Sequence, residues 1–163
     1  MPCEVPLLFI DQEETTFLRD LNVIKKLPVF CRALSGLGED WDTQSLDPTD
    51  AWDVPFPKCA AVFIFENILK YTLEDGVKHT MDRYPEANRL TMAELRDIME
   101  LANFWELLDF MDCLGYVAAK KLEMNDFDQI ADFMGARRGL EPELWFREQD
   151  GWMHPPIAVF GQH

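Results

Sequence analysis

No apolar run in this chain approaches the ~20 residues needed to cross a bilayer. Its first residues, Met1-Pro2-Cys3-Glu4, lack the basic start and apolar core of a signal peptide, so a cytoplasmic and nuclear location is the expectation. Basic residues are scarce: 15 Lys and Arg face 30 Asp and Glu, a formal net charge of −15. A surface of that sign repels a phosphate backbone instead of releasing its counterions, which argues against nucleic acid and anionic membranes as partners and for basic proteins. Histidine is rarer still. His79, His154 and His163 lie at no metal-ligand spacing from a cysteine or from one another, so neither a metal nor another cofactor is expected. Cys3, Cys31, Cys59 and Cys113 form no CxxC pair and sit mostly among apolar residues, as reduced core thiols do; a disulfide framework is not expected.

What the chain does have is apolar content, 48% of its 163 residues, enough for one real core but not for two comfortable domains. Leu7-Leu8-Phe9-Ile10 and Thr15-Thr16-Phe17-Leu18 flank the polar stretch Asp11-Gln12-Glu13-Glu14, which predicts a β-hairpin with an acidic turn. Phe30, Leu34 and Leu37 recur at helical spacing before Gly36 and Gly38, either of which can end a helix. Residues 39–53 are acidic and polar and read as a loop. Val54-Pro55-Phe56-Pro57 then fits an edge strand or an extended lead-in, because proline cannot donate to a sheet ladder.

Ala61, Phe65, Ile68, Leu69 and Thr72 place an amphipathic helix over residues 60–73, followed by a polar connector over 74–90. Thr91-Met92-Ala93-Glu94 has the capping-box pattern, and Leu95, Ile98, Met99, Ala102 and Trp105 continue a helical stripe from it. Over residues 107–122 the apolar positions Phe110, Met111, Leu114, Val117, Ala118 and Leu122 cover more than half of a helix circumference, so this helix needs cover on more than one side. Asp126-Phe127-Asp128-Gln129 caps a third helix carrying Ile130, Phe133 and Met134, with Gly135 as its stop. Glu141-Pro142 starts a short last helix bearing Leu144, Trp145 and Phe146, and the tail after Gly151 is irregular. Strands and helices mix in the first half and only helices follow residue 91, an α+β or mostly α molecule. The C-terminal third carries more apolar surface than short helices can bury among themselves. Either it packs back as ordinary core, which composition favours, or part of it is open to another chain.

These residues resemble the S-phase-kinase-associated (Skp) adaptor family, the BTB/POZ-fold subunits that bridge F-box proteins to a cullin in SCF ubiquitin ligases. Val54-Pro55-Phe56-Pro57 is similar to the family's Val-Pro-Leu-Pro element, and Asn103-Phe104-Trp105-Glu106-Leu107 to its Asn-Tyr-Leu-Asp-Ile run. The likeness continues without a gap through Phe110-Met111-Asp112, Ala118-Ala119, Leu122 and Ile130, and resumes at Glu141-Pro142-Glu143-Leu144, Arg147-Glu148 and Trp152. It implies an α+β fold: a BTB/POZ-like core over residues 1–122, a helical F-box-binding extension over 123–152, and an irregular tail over 153–163. It implies Asn103, Phe104 and Trp105 on a cullin-facing side, and Met111, Ala118, Leu122, Ile130, Met134, Trp145, Phe146 and Trp152 on the F-box side. Arg96 stands where the family has an aromatic, and the family's long acidic loop is reduced to residues 74–88, as in a divergent paralogue.

The implied function is that of a non-catalytic adaptor in ubiquitin-dependent degradation, with F-box proteins, a cullin and through it a RING subunit as partners, and weak self-association allowed for. An elongin-C-like adaptor and an F-box-binding protein that works without cullin are the alternatives. A cysteine or acid–base enzyme would draw on Cys31 or Cys59 with His79, or on the pairs Glu13-Glu14 and Asp109 with Asp112. Apolar helical surroundings, a turn and a solvated helix edge are the stronger readings of those residues.

Overall fold

The computed structural model describes residues 3–38, 40–43, 50–72 and 77–134. The chain divides into two compact units, Met1–Met124 and Asn125–His163. Among the described residues, three strands and seven helices make an α+β fold.

In the first unit, β1 (Val5–Phe9) and β2 (Thr16–Leu18) form the expected antiparallel hairpin, with Val5 opposite Leu18 and Leu7 opposite Thr16. Gln12 N–H donates to the Phe9 carbonyl at 3.0 Å and closes the turn. A third strand, β3 (Trp52–Val54), lies parallel to β1, giving the order β2-β1-β3. It occupies the end of the segment that sequence reads as loop. Pro55 and Pro57 fall just outside it, where their missing N–H costs no ladder bond.

Helix α1 (Leu21–Ile24) is capped by the Asp20 carboxylate, which accepts from the Asn22 and Val23 amides. Helix α2 (Pro28–Ser35) has proline in its first turn and stops at Gly36; it buries Phe30 and Leu34, whereas Leu37, expected on the same stripe, lies past its end and is 54% exposed. Helix α3 spans Lys58–Asn67, shorter than its apolar pattern suggests. Asn67 ends it: its carbonyl accepts from both the Lys70 and Tyr71 amides, and its side chain donates to the Phe63 carbonyl at 2.8 Å. The turn delivers Tyr71 to the core at 2% exposure, stacked on Phe110 and edge-on to Tyr84.

The polar connector also contains a helix, α4 (Pro85–Asn88). The buried Tyr71 hydroxyl organises it, donating to the Glu86 carboxylate at 2.9 Å while accepting the Ala87 amide at 3.0 Å. The backbone N–H of Glu86, then the Tyr71 hydroxyl and Lys70, hold the Glu86 carboxyl below the usual carboxylate range. Burial pushes the Tyr84 phenol up to about 12.

Helix α5 (Met92–Phe104) starts from the anticipated capping box: Thr91 Oγ1 accepts from the Glu94 amide and Glu94 returns the bond to the Thr91 N–H. It packs between α3 and α6 (Leu108–Leu122). Phe110, Cys113, Leu114, Val117 and Ala118 of α6 are buried, the wide apolar face expected of it. In the second unit, α7 (Phe127–Phe133) is capped reciprocally by Asp126 and Gln129. The last helix, the tail and Gly135 lie outside the described residues.

Candidate protein-docking site

The end of α5 is where sequence and geometry bear most on function. The chain leaves the helix through a double hydrogen-bonded stop: the Leu107 amide donates to the Ala102 carbonyl at 2.9 Å, and the Glu106 amide to the Asn103 carbonyl at 3.0 Å. This motif needs a left-handed residue at the position just past the cap, normally glycine. Here it is Glu106, with φ 59°. Leu107 and Ala102 are both buried and supply the apolar contact that accompanies such a stop. The Glu106 carboxylate accepts from Arg32 of α2 at 2.7 Å, but both side chains are more than half exposed and the pair contributes about 0–1 kcal/mol.

Replacing Glu106 by glycine is therefore expected to stabilise the fold by up to about 1 kcal/mol, since the positive φ then carries no Cβ penalty. A β-branched Glu106→Val should instead lose about 1–2 kcal/mol. Urea denaturation of the two variants checks both signs, and a neutral valine variant would contradict the left-handed geometry.

The stop splits three consecutive residues between surface and core. Asn103 is exposed, and Phe104, 49% exposed, rests on Phe56 with ring centroids 5.5 Å apart. Trp105 turns inward to 1% exposure, stacked on Phe65 at 5.6 Å and edge-on to Phe30 at 5.4 Å. Trp105, expected on the docking side with its two neighbours, offers no surface to a partner; its role here is core packing. Just beyond the stop, Leu108 is 72% exposed, beside a cleft of about 260 Å³ whose lining includes Lys26, Ile68, Tyr71, Glu106 and Phe110. Sequence reasoning missed Leu108 and Phe56. A leucine just outside the buried stripe of α6 was the available signal.

The second expected set is dispersed. Met111 and Leu122 are half-buried on α6, and Ala118, on the same stripe, is only 4% exposed, leaving little of it to touch. In the second unit Ile130 is half-buried and Met134 is 70% exposed. Trp145, Phe146 and Trp152 lie outside the described residues. Arg96 lies along α5 with its guanidinium 2.9 Å from Glu100, four residues on.

Of the residues that an enzyme reading would use, Cys31 and His79 are hydrogen-bonded to other groups. The Cys31 thiol donates to the Ile24 and Lys25 carbonyls, and burial pushes it up. His79 Nδ1 shares a 2.8 Å hydrogen bond with the Tyr84 hydroxyl, and its ring stacks on Tyr116. Cys59 is exposed on the first turn of α3, contrary to the core placement expected of the cysteines, whereas Cys3 and Cys113 are buried. Glu13, Glu14, Asp109 and Asp112 are all exposed. Among the described residues no helix is long and apolar enough to cross a membrane, and no three His, Cys, Asp or Glu side chains are grouped to hold a metal ion.

The end of α5 thus sets an exposed aromatic backed by a second aromatic beside a polar amide and an exposed leucine. No protein-family model and no curated protein matches this chain.

Proposed function

We propose that this protein is a non-catalytic adaptor of an SCF-type ubiquitin ligase, with a BTB/POZ-like core that meets a cullin through the end of α5 and F-box proteins through its C-terminal helices. The observation that carries this reading is the placement of Asn103 and Phe104. They are the two residues that match the Asn-Tyr pair of the Skp family, and both stand exposed at a rigid helix stop while Trp105 anchors that stop in the core. Such an adaptor works by proximity. Holding a substrate receptor and the ubiquitin-transfer module on one small body raises their effective concentration without supplying a reacting group. Met111 and Leu122 on α6, with Ile130 and Met134 beyond it, are the residues proposed to meet the F-box, methionine suiting a surface that accepts varied partners.

Quantitative recovery of cullin and F-box proteins with the tagged chain, compared with a chain truncated after Leu122, tests the reading. The full chain is expected to recover both, and the truncated chain to keep cullin and lose the F-box proteins. Recovery of neither by the full chain would overturn the proposal.

A further inference from the structure

The three-stranded sheet has two faces: one is packed into the core and the other is only partly covered. Val5, Leu7, Phe9, Leu18 and Val54 are buried. Period two then puts Pro6, which is also buried, with Leu8 and Ile10 of the β1 run, Phe17 of β2 and Asp53 of β3 on the opposite face. A small sheet with one face toward water normally reads polar there. This one does not. Leu8 and Phe17 are half-buried and Ile10 is 71% exposed; Leu8 and Ile10, with Gln12, Asp53 and Pro55, edge a shallow cavity of about 350 Å³.

Asp53 lines that cavity, and Asp11 and Glu13 flank its Gln12 in the chain. Asp11, Glu13 and Glu14 stand at the hairpin tip and Asp53 opposite Leu8, all exposed. Asp11 accepts the Lys58 amide at 2.9 Å, and among the described residues no Lys or Arg forms an ion pair with any of these four carboxylates. The one basic side chain on β2's side, Arg19, is paired with Glu4 at 2.7 Å and lies over the Phe17 ring.

We propose that this outer sheet face is a docking surface for an extended basic segment of a partner protein, in which aliphatic residues alternate with Lys or Arg. Charge chooses this occupant. A second copy of a chain with net charge −15 would bring two acidic surfaces together, and an anionic ligand would meet the same repulsion. An extended strand laid across this face presses one row of side chains onto Leu8 and Ile10, and the long stems of Lys or Arg in the other row bend back to Asp53 and the hairpin-tip carboxylates. The surface lies on different residues from the Asn103 and Phe104 site and does not depend on the reading of that site.

The test is titration of the ¹⁵N-labelled full chain with three synthetic peptides of roughly twelve residues, long enough to cross the sheet. One alternates valine with lysine, one threonine with lysine, and one valine with glutamate. The valine–lysine peptide should bind at least about tenfold more tightly than either control, and should weaken as salt screens the carboxylates. Its amide shifts should centre on residues 8–12 and 53, and Ile10→Lys and Asp53→Lys should each abolish them, while Phe104→Ala leaves them unchanged. Equal affinity for the threonine–lysine peptide would reduce the effect to general acidic attraction and overturn the proposal. So would shifts lying away from the sheet, or binding that survives both lysine variants.

Discussion

Replacing Trp105 by alanine is expected to destabilise the first unit by about 3–5 kcal/mol, the cost of truncating a fully buried aromatic in a packed core. The ring is 1% exposed and is held on two sides, stacked on Phe65 of α3 and edge-on to Phe30 of α2. Phe30 in turn meets Trp52 of β3 edge-on at 5.0 Å, so the gap opens where helices α2, α3 and α5 meet the sheet. Its ring neighbours are themselves held in aromatic contacts, and partial collapse recovers little of the lost dispersion energy. Against a total stability of about 5–15 kcal/mol, the loss takes much of the margin. Equilibrium denaturation measures it directly. A change below about 1 kcal/mol would mean that the residue is not in the core, and the reading of the α5 stop would fall with it.

Phe104→Ala should do the reverse, leaving the fold nearly intact while removing partner binding. Half of the ring already faces solvent and its recorded aromatic contact is Phe56, so the stability change should stay within about 1 kcal/mol. In an interface core the same ring would be fully desolvated, and truncating such an aromatic anchor costs about 2 kcal/mol or more, roughly a 30-fold loss of affinity. Cullin recovery by Phe104→Ala should fall accordingly, with a smaller drop for Asn103→Ala, and F-box recovery should not change. Unchanged cullin recovery by a Phe104→Ala chain of normal melting temperature would show that the α5 end is not the docking site. Comparing the two variants matters because Trp105→Ala also loses binding, through unfolding, and only Phe104→Ala separates contact from stability.

Neighbouring residues with such different fates were only partly legible in the chain. The stripe Leu95, Ile98, Ala102, Trp105 already places Trp105 on the buried side of α5, and the structure agrees with that periodicity. The family resemblance assigned Trp105 by position in a motif, which does not register that the helix ends at Phe104 and that the next residue turns inward. The turn depends on Glu106 adopting a positive φ. A glycine there would have announced the stop; a glutamate gives no local signal, and the Ala102–Leu107 burial that holds it is a product of packing.

Capping boxes at Thr91 and Asp126, the hairpin of residues 5–18 and the wide apolar face of α6 were all readable in advance. Each arises from side chains within a few residues of one another, where spacing and chemistry leave few alternatives. Strand β3, the early end of α3 and helix α4 were not. β3 forms because β1 offers it a parallel edge more than forty positions earlier in the chain. α3 stops, and α4 forms, around the buried Tyr71 hydroxyl, which meets Glu86 and Ala87 fifteen and sixteen residues on. Tyr84-Pro85-Glu86 did carry a helix-start signal, proline in the first turn with an acidic neighbour, inside a stretch too polar for periodicity to mark it. Local chemistry therefore set where most elements begin. Which aromatics face inward, which strand joins the sheet and which face of that sheet is left apolar were settled by contacts between distant segments, whose energies no local pattern records.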